Sequence, residues 1–532
     1  MGISRRGVIG SGLAAGVFAP MVRRANAAPG DAGTLRTVMQ GDLRVFDPIW
    51  TTANITAYYG AMVYDTLFAI DEHFKPQPQM VDKWSLSDDK KTYTFALRDG
   101  LGWQDNTPVT AADCVASVRR WAARDGGGQV MMQFVKDISA GDDKTFKIEL
   151  TEPFGPVIDM LAKPTTPDCF MMRKKDAETD PFQQVSARIG SGPFTFNESE
   201  TRPGSQYVFN RWDKYVPRKE PPSGLAGGKV VSLPKVIWEN IADEQTALAA
   251  LQSGEIDFYE LPPIDLLPQL AADPNITLEA LNKTGNVGIA RLNCLHPPFA
   301  SVEARQAMLY LLNQSDFMKA TFGNPKYYQT CASYFGCGTP MQTDVNTDWF
   351  KHGVDLAKAK ELFTKAGYSG EPVVVLQATN IAFMNNSAQL IAGQLEKIGV
   401  KAQLAASDWG GVVTRRSVME PDDKGGWDVF ITWGSAYAFS DPIGLLALAM
   451  NGKKAWYGWP TDDAYEKLRM EWAGAADDAA RKAIGDKMAA LGWNDVPAVI
   501  LGQWVSPQAW RKNVSGFIGI PEIIPFWNVK KT

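Results

Sequence analysis

Few side chains in this 532-residue chain have the types and spacing that catalytic or metal chemistry requires. The three histidines, His73, His296 and His352, are far apart and have no cysteine pair at zinc-ligand spacing beside them. A Gly-x-Ser-x-Gly elbow, a His-Glu-x-x-His helix and a glycine-rich phosphate loop are also missing. A scattered catalytic triad leaves no local motif, so a hydrolase stays open as an alternative, although three histidines provide few general bases. We expect no catalytic centre, no metal and no cofactor.

Two of the five cysteines bracket a short loop. Cys331 and Cys337 enclose the segment Ala-Ser-Tyr-Phe-Gly, whose flexible backbone and flanking Gly and Pro residues can bring the two sulfurs together. We predict a disulfide between them, which an oxidising compartment would allow. The alternative is a pair of free thiols in a loop.

The first 27 residues have the layout of an export signal. An arginine pair at positions 5 and 6 precedes an uncharged run over 7–22, and Ala25-Asn26-Ala27 offers a cleavage site. The run is short and rich in Gly and Ala, which disfavours the alternative of a retained membrane anchor. No cysteine follows the run closely enough to accept a lipid. We expect a mature protein that is free in the periplasm.

The segment from Ser4 to Ile9 resembles a twin-arginine export motif. It departs from that pattern at Val8, where Phe is usual. We therefore predict export by the twin-arginine route, with the general secretory route as the alternative.

Composition and charge describe a multi-domain globular protein. Hydrophobic residues make up 45% of the chain and charged residues 21%, close to the average for soluble domains. At roughly 150 residues per domain, the length predicts about three or four folding units. The formal net charge of -5, without a basic stripe interleaved with aromatics, predicts no nucleic-acid partner.

Strand and helix patterns alternate along the chain. Residues 93–97 and 145–150 alternate apolar and polar side chains as half-buried strands do, and Thr110 is positioned to cap a helix after the first of them. Two strand, helix, strand units follow, the first over 235–258 and the second over 373–404. A long helical stretch is predicted over 464–491. Such units form parallel sheets covered by helices, which predicts an α/β architecture.

A series of motifs gives the chain a family resemblance. Residues 92–121 form a strand ending in Leu-Arg-x-Gly, followed by an aromatic and by Pro-Val-Thr-Ala-x-Asp. The supporting motifs are FDPIWTTANITAYYGAMVYDTLF near the start, IGSGPFTF at 189–196, ALQSGEIDF at 250–258, PPFASVEARQAMLYLLNQ at 297–314, DLAKAKELFTKAGY at 355–368 and WDVFITWGSAYAFSDP at 427–442. In this order they resemble the family 5 solute-binding proteins of ABC importers, which include dipeptide-, oligopeptide-, nickel- and opine-binding proteins.

The resemblance implies a two-lobed periplasmic binding protein of type II, cluster C, with an extra subdomain in the first lobe. The implied divisions are a signal peptide (1–27), lobe I (28–75), its inserted subdomain (76–185), lobe I continued (186–290), lobe II (291–500) and a C-terminal return to lobe I (501–532). A small solute would be held between the lobes by hinge closure and delivered to a membrane permease by a monomeric protein. A periplasmic ligand sensor is the alternative within the same fold.

Aromatic side chains are the main candidates for the ligand site. The resemblance places Trp433 at the end of a cleft-facing strand, with Tyr437 in the loop beyond it, and places Trp409 after a strand of the second lobe. From the first lobe we expect Trp50, Thr51 and Asn54 in a loop that faces the cleft. With 17 Trp and 15 Tyr in the chain, simple core packing is the alternative for each aromatic.

Arg415 and Arg416 follow Trp409 by one to two helical turns. Either guanidinium would suit a ligand carboxylate or phosphate. A solvated helix face is the alternative for this pair.

One departure from the family bears on the ligand. Peptide-binding relatives have an Asp three residues after the cleft Trp, where it pairs with the α-amino group of the peptide, but this chain has Ala436 there. Burial of an ammonium without a partner is costly. The departure favours an opine, a sugar-acid conjugate or a blocked peptide, unless another acid such as Asp441 pairs with the amine.

Overall fold

The computed structural model describes residues 33–379, 381–407, 409–475 and 477–532. The predicted signal peptide, residues 1–27, lies outside the described residues. Within them, no helix is long and apolar enough to cross a membrane.

The first half of the chain forms a sheet and an inserted α/β unit. Its elements, in chain order, are β1 (Thr34–Val38), α1 (Asn54–Val63), β2 (Phe68–Ile70), β3 (Pro76–Pro78), β4 (Val81–Leu86), β5 (Thr92–Leu97), α2 (Ala111–Arg124), α3 (Gly126–Phe134), β6 (Val135–Ala140), β7 (Thr145–Leu150), α4 (Val157–Ala162), α5 (Lys174–Ala177), β8 (Phe194–Phe196), β9 (Gln206–Arg211), β10 (Lys235–Glu239), α6 (Glu244–Ser253), β11 (Phe258–Tyr259), α7 (Leu267–Ala272) and β12 (Ile276–Glu279).

The second half forms a separate sheet, and the chain then returns to the first. The elements are β13 (Asn286–Leu292), α8 (Val302–Leu311), α9 (Gln314–Phe322), β14 (Tyr328–Gln329), α10 (Asp348–His352), α11 (Leu356–Lys365), β15 (Val373–Ala378), α12 (Ala382–Lys397), β16 (Ala402–Ser407), α13 (Trp409–Arg415), β17 (Val429–Ser435), α14 (Ala436–Phe439), α15 (Asp463–Gly474), α16 (Asp478–Asp495), β18 (Ala498–Trp504), β19 (Gln508–Arg511), β20 (Val514–Ser515) and β21 (Lys530–Lys531).

Three sheets organise the molecule. Lobe I is built on a seven-stranded sheet of order β12-β19-β11-β1-β10-β9-β8, and lobe II on a six-stranded sheet of order β14-β18-β13-β17-β15-β16. A four-stranded antiparallel sheet, β4-β5-β7-β6, forms the inserted subdomain. The predicted α/β class is confirmed, and the strand bounds put the predicted divisions after 290 and 500 inside β13 and β18.

Both predicted strand, helix, strand units are present. β10 and β11 lie parallel to β1 on either side of it, and β15 lies parallel to β16. The sheets are mixed, because β13, β18 and β19 pair antiparallel with their neighbours. The long helix predicted over 464–491 is wrong as a single element. It divides into α15 and α16, because the Asp477 side chain accepts a hydrogen bond from the Ala480 backbone and starts a new helix there.

Two of the family-like motifs meet beside α1. Gln104 donates from its amide to the carbonyls of Val63 and Phe194, and its side-chain oxygen accepts from the Gly190 backbone. A Cβ at Gly190 would lie 1.8 Å from the Val63 carbonyl oxygen, so only glycine fits this position. The GWQD and GSGPF segments therefore hold the end of α1 against the lobe I sheet.

The two lobes are joined by neighbouring chain crossings at 280–285 and 505–507. Gln503 donates a hydrogen bond to the Thr284 carbonyl, and Leu281 donates to the Gln508 side chain across the pair. Gly285 has φ +73° and lies so close to the Trp504 carbonyl that a Cβ would be 2.2 Å from its oxygen. Two adjacent crossings of this kind are the usual form of a hinge between domains.

Candidate functional site between the two lobes

Lobe I and lobe II contact each other along one edge of the structure. The Ser435 hydroxyl at the end of β17 donates a hydrogen bond to the Glu522 carboxylate, which belongs to the C-terminal segment in lobe I. The Phe74 and Tyr437 rings pack across the same boundary with centroids 5.3 Å apart. This edge is where side chains from both lobes meet.

Lobe II presents an aromatic wall beside this edge. Trp433 on β17 is 38% exposed, and its ring lies edge to face with the rings of Phe383 and Trp504. Those two supporting rings are buried and pack on each other with centroids 4.6 Å apart. The Cβ of any larger residue at Gly288, opposite Trp433, would meet Phe383 at 2.3 Å. The Phe383 and Trp504 rings, with the close approach that Gly288 allows, thus hold the Trp433 indole in place while part of it remains exposed.

Five ionisable groups come together near the edge, and we call them the interlobe charge cluster: Asp125, Lys163, Asp168, Asp441 and Glu522. The Lys163 ammonium lies 2.8 Å from an Asp125 oxygen. Its charge also interacts with the carboxyl groups of Asp168, Asp441 and Glu522. Four carboxyl groups against one ammonium leave the cluster with an excess of negative charge whenever its acids are ionised.

Burial governs the titration of these acids. It raises the pKa of the Asp168 carboxyl to about 7, against the opposing influence of Lys163, and Glu522 and Asp125 raise it further. Burial also raises the pKa values of Asp441 and Glu522. The charge of Asp168 therefore depends on pH in the neutral range.

The loop that carries Trp50 adjoins this cluster in lobe I. The Trp50 indole donates to the Phe182 carbonyl at 2.9 Å, and the Arg124 guanidinium lies 5.9 Å from the indole centre. Thr51 accepts from the Ala53 backbone through its hydroxyl.

The rest of that loop leads to the start of α1. The Thr166 hydroxyl donates to the Thr52 carbonyl, which joins the loop to the chain segment between Lys163 and Asp168. Asn54 is exposed at the first position of α1.

The predicted arginine pair is engaged by lobe II itself. Arg415 donates to the carbonyls of Gly425 and Gly426, at 2.8 Å for the shortest contact. The guanidinium of Arg416 lies 5.3 Å from the centre of the Trp409 ring and 4.6 Å from that of Tyr457. Contact of Trp409, Arg415 or Arg416 with a ligand stays a prediction.

The predicted cysteine pair lies behind the hinge. Cys331 and Cys337 are linked in the structure, with their Cα atoms 5.8 Å apart. The Gln503 side chain accepts from the Cys337 backbone and donates to its carbonyl, while also donating to Thr284. This loop braces the crossing between the lobes through Gln503. Among the described residues, no group of three or more His, Cys, Asp or Glu side chains could hold a metal ion.

Lys163, Asp168 and Glu522 did not stand out in the sequence. They lie in two segments more than 300 residues apart, and no local pattern marks any of them. The one usable signal is Ala436, which stands where peptide-binding relatives have an Asp. The loss of that acid suggests that another acid could pair with the amine of a ligand. Asp441 was the only member of the cluster reached that way.

A family model for the middle part of bacterial extracellular solute-binding proteins, family 5, matches residues 75–456. The chain belongs to this family. The sequence-based expectation of a solute-binding protein is thereby confirmed.

Relatives and solved structures extend the match over the whole chain. This family 5 member is 50% identical over 536 residues, 100% of both chains, to the probable peptide ABC transporter periplasmic-binding protein y4tO of Sinorhizobium fredii (strain NBRC 101917 / NGR234). It is 26% identical over 416 residues to the glutathione-binding protein GsiB of Escherichia coli (strain K12), covering 77% of this chain and 75% of that protein.

Two solved structures have the same fold. The binding protein AgaA from A. tumefaciens R10 in complex with agropinic acid matches with a TM-score of 0.78 at 24% identity, covering 94% of this chain and 99% of that one. The Helicobacter pylori periplasmic binding protein DppA in complex with the peptide STSA matches with a TM-score of 0.78 at 22% identity, covering 94% and 98%. The predicted two-lobed fold is confirmed.

Proposed function

We propose that this protein is the periplasmic substrate-binding component of an ABC importer. It captures a small peptide-like solute, an opine or a related conjugate between its lobes and delivers it to a membrane permease. The observation that carries the proposal is the edge at which Ser435 and Tyr437 of lobe II contact Glu522 and Phe74 of lobe I, close in sequence to the exposed Trp433. The names of y4tO, AgaA and DppA support the same ligand range.

The site is suited to binding without chemical change. An exposed indole contributes by buried apolar area, at roughly 25 cal/mol per Å², and a few polar groups set the orientation of the ligand. The chain has only three histidines, which would be the usual general bases, and none of the common catalytic motifs surrounds them. We accordingly propose that the protein is not an enzyme and uses no cofactor or metal. An exported hydrolase is the less favoured alternative, and a periplasmic ligand sensor is the other.

The remaining parts of the proposal concern location and assembly. The protein is exported by the twin-arginine route, as the motif at residues 4–9 suggests, and is released into the periplasm after cleavage near Ala27. It acts there as a monomer, does not bind nucleic acid and meets its permease through the closed, ligand-bound form.

A defined ligand panel tests the proposal. Native mass spectrometry and calorimetry would be run with the dipeptide Ala-Phe, the peptide Ser-Thr-Ser-Ala and glutathione, each with its N-acetylated form, and with the opine octopine. We expect at least one compound to bind in one copy per chain and to be released with its mass unchanged. Release of a cleaved compound would support the hydrolase instead.

We expect Trp433→Ala to weaken binding of the tightest panel compound by about 30-fold, or about 2 kcal/mol, as for aromatic hot spots in general. The physical reason is that the mutation removes the exposed face of the aromatic wall and leaves its buried supporting rings in place. Calorimetry measures the affinity directly.

Trp84→Ala is the matched control, because Trp84 is a similarly exposed indole, 43% accessible, on β4 of the inserted subdomain. Equal losses for the two variants, or no loss for Trp433→Ala, would remove Trp433 from the site.

A further inference from the structure

Asp168 is a buried acid without a partner. It is 2% exposed, and neither of its carboxylate oxygens accepts a hydrogen bond from any of the described residues. Most buried polar atoms in folded proteins have a partner, and an unsatisfied charged group is especially costly. This arrangement calls for a partner that the folded chain does not supply.

Lys163 does not fill that role. Its ammonium lies 2.8 Å from Asp125 and donates to the Thr165 carbonyl at 2.6 Å and to the Thr165 hydroxyl at 3.0 Å. A lysine ammonium has three donors, and these contacts account for them. Asp168 is left with the long-range attraction of Lys163 but with no direct bond to it.

The acids around Asp168 come from both lobes. The charge of Glu522 in lobe I raises the pKa of Asp168, and the Glu522 carboxylate accepts a hydrogen bond from Ser435 of lobe II. Asp441 of lobe II is within electrostatic reach of Lys163 and Asp125. Its Oδ1 accepts hydrogen bonds from the Ile443 and Gly444 backbone amides. Negative charge therefore converges on the boundary where the lobes meet.

We propose that Asp168, together with Glu522 and Asp441, forms a subsite for the primary ammonium group of the bound solute. An ammonium supplies three donors and one positive charge, which matches an excess of carboxylates in which the buried Asp168 has no hydrogen bond from the described residues. Lys163 illustrates the fit, since its own ammonium is buried in the same cluster against Asp125. The inference rests on the proposed function and specifies the ligand class further.

The subsite revises the expectation drawn from Ala436. The acid that relatives have at that position is missing here, but acids from lobe I take its place on the other side of the boundary. A solute with a free amine is therefore preferred, and a blocked peptide is disfavoured.

The ligand panel described above tests the inference. For the peptide that binds, we expect the free-amine form to bind at least about 30-fold more tightly than its N-acetylated form, as for loss of one partner of a buried charge pair. We expect Asp168→Asn to reduce that preference to within about threefold, and Glu522→Gln to weaken the free-amine form as well. Asp137→Asn is the control, since Asp137 is an exposed acid on β6 that pairs with Arg119.

Thermal melting of the ligand-free variants separates binding from structure. Asparagine has the shape of aspartate without its charge, so Asp168→Asn is expected to raise the melting temperature at pH 8. A lower melting temperature would mean that Asp168 has a structural partner and would contradict the subsite. The comparison of free and acetylated peptides on the unmodified protein needs no variant at all.

The outcomes are distinct. If the acetylated peptide binds as tightly as the free one, or if Asp168→Asn leaves the affinity unchanged, the subsite is overturned while the proposed function stands. If no panel compound binds, the proposed ligand class fails, and the subsite fails with it.

Discussion

Replacement of Asp47 by alanine should lower the free energy of unfolding of lobe I by about 3–5 kcal/mol, the usual cost of leaving one partner of a buried ion pair alone. Asp47 and Arg120 are both fully buried, and one Asp47 oxygen lies 2.7 Å from the Arg120 guanidinium. The same carboxylate accepts from the Val185 backbone through that oxygen and from Ile49 and Trp50 through the other. Urea unfolding of the ligand-free protein measures the loss.

The double variant Asp47→Ala with Arg120→Met should recover part of that stability, because it removes the stranded charge. Asp137→Ala, which breaks an exposed pair with Arg119, should change stability by less than about 1 kcal/mol. A loss for Asp47→Ala as small as that of the exposed control would contradict this account of the Trp50 loop.

Lys163→Met should destabilise the protein by about 3–5 kcal/mol at pH 8 and by clearly less at pH 5. Removal of the only ammonium in the interlobe charge cluster leaves Asp125 and Asp168 buried without a counter-charge. Burial already raises the pKa of Asp125 and raises that of Asp168 to about 7. The loss of Lys163 raises both further.

The sign of the pH effect follows from those raised values. A carboxyl whose pKa is higher in the folded than in the unfolded protein binds more protons when folded, so stability falls as pH rises from about 4 to 7 and beyond. The pKa values of the acids are raised further in the Lys163→Met variant, so its free energy of unfolding falls more steeply with pH than that of the unmodified protein. The difference in stability between the two proteins must therefore grow with pH.

Urea unfolding at pH 5 and pH 8 checks this expectation. Lys351→Met is the control, because Lys351 forms an exposed pair with Asp348 and should give a small change that is the same at both pH values. A loss for Lys163→Met that does not depend on pH would show that the cluster acids are not buried as described.

Local patterns were enough to predict much of the fold. Alternation of apolar and polar side chains located β5 and β7, and Thr110 caps α2 with Asp113 in a reciprocal capping box, as its position suggested. These features depend on a few adjacent residues. The direction in which β13 and β18 pair depends on the whole path of the chain, and periodicity contains no information about that.

The break between α15 and α16 shows a different limit. Aspartate is acceptable on an exposed helix face and is also a preferred N-cap, so the pattern around Asp477 fits one long helix or two shorter ones. Only packing against the rest of lobe II decides between them.

Some residues of the candidate site could be predicted from local sequence and others could not. Trp433 and Tyr437 follow one strand and could be selected because the resemblance marks that strand. Asp168 and Glu522 reach the same boundary from opposite ends of lobe I. The burial of both acids, the missing partner of Asp168 and the bond from Ser435 to Glu522 arise from tertiary contacts, which no single stretch of sequence reveals.

The central claim is that the two lobes close on a small solute between them. Spin labels at Gln245→Cys on α6 of lobe I and Lys397→Cys on α12 of lobe II, with Cys294 replaced by Ser, would report the distance between the lobes. With the tightest compound of the panel, pulsed electron spin resonance should give a shorter and narrower distance distribution than without it. An unchanged distribution at saturating compound would contradict closure around a ligand.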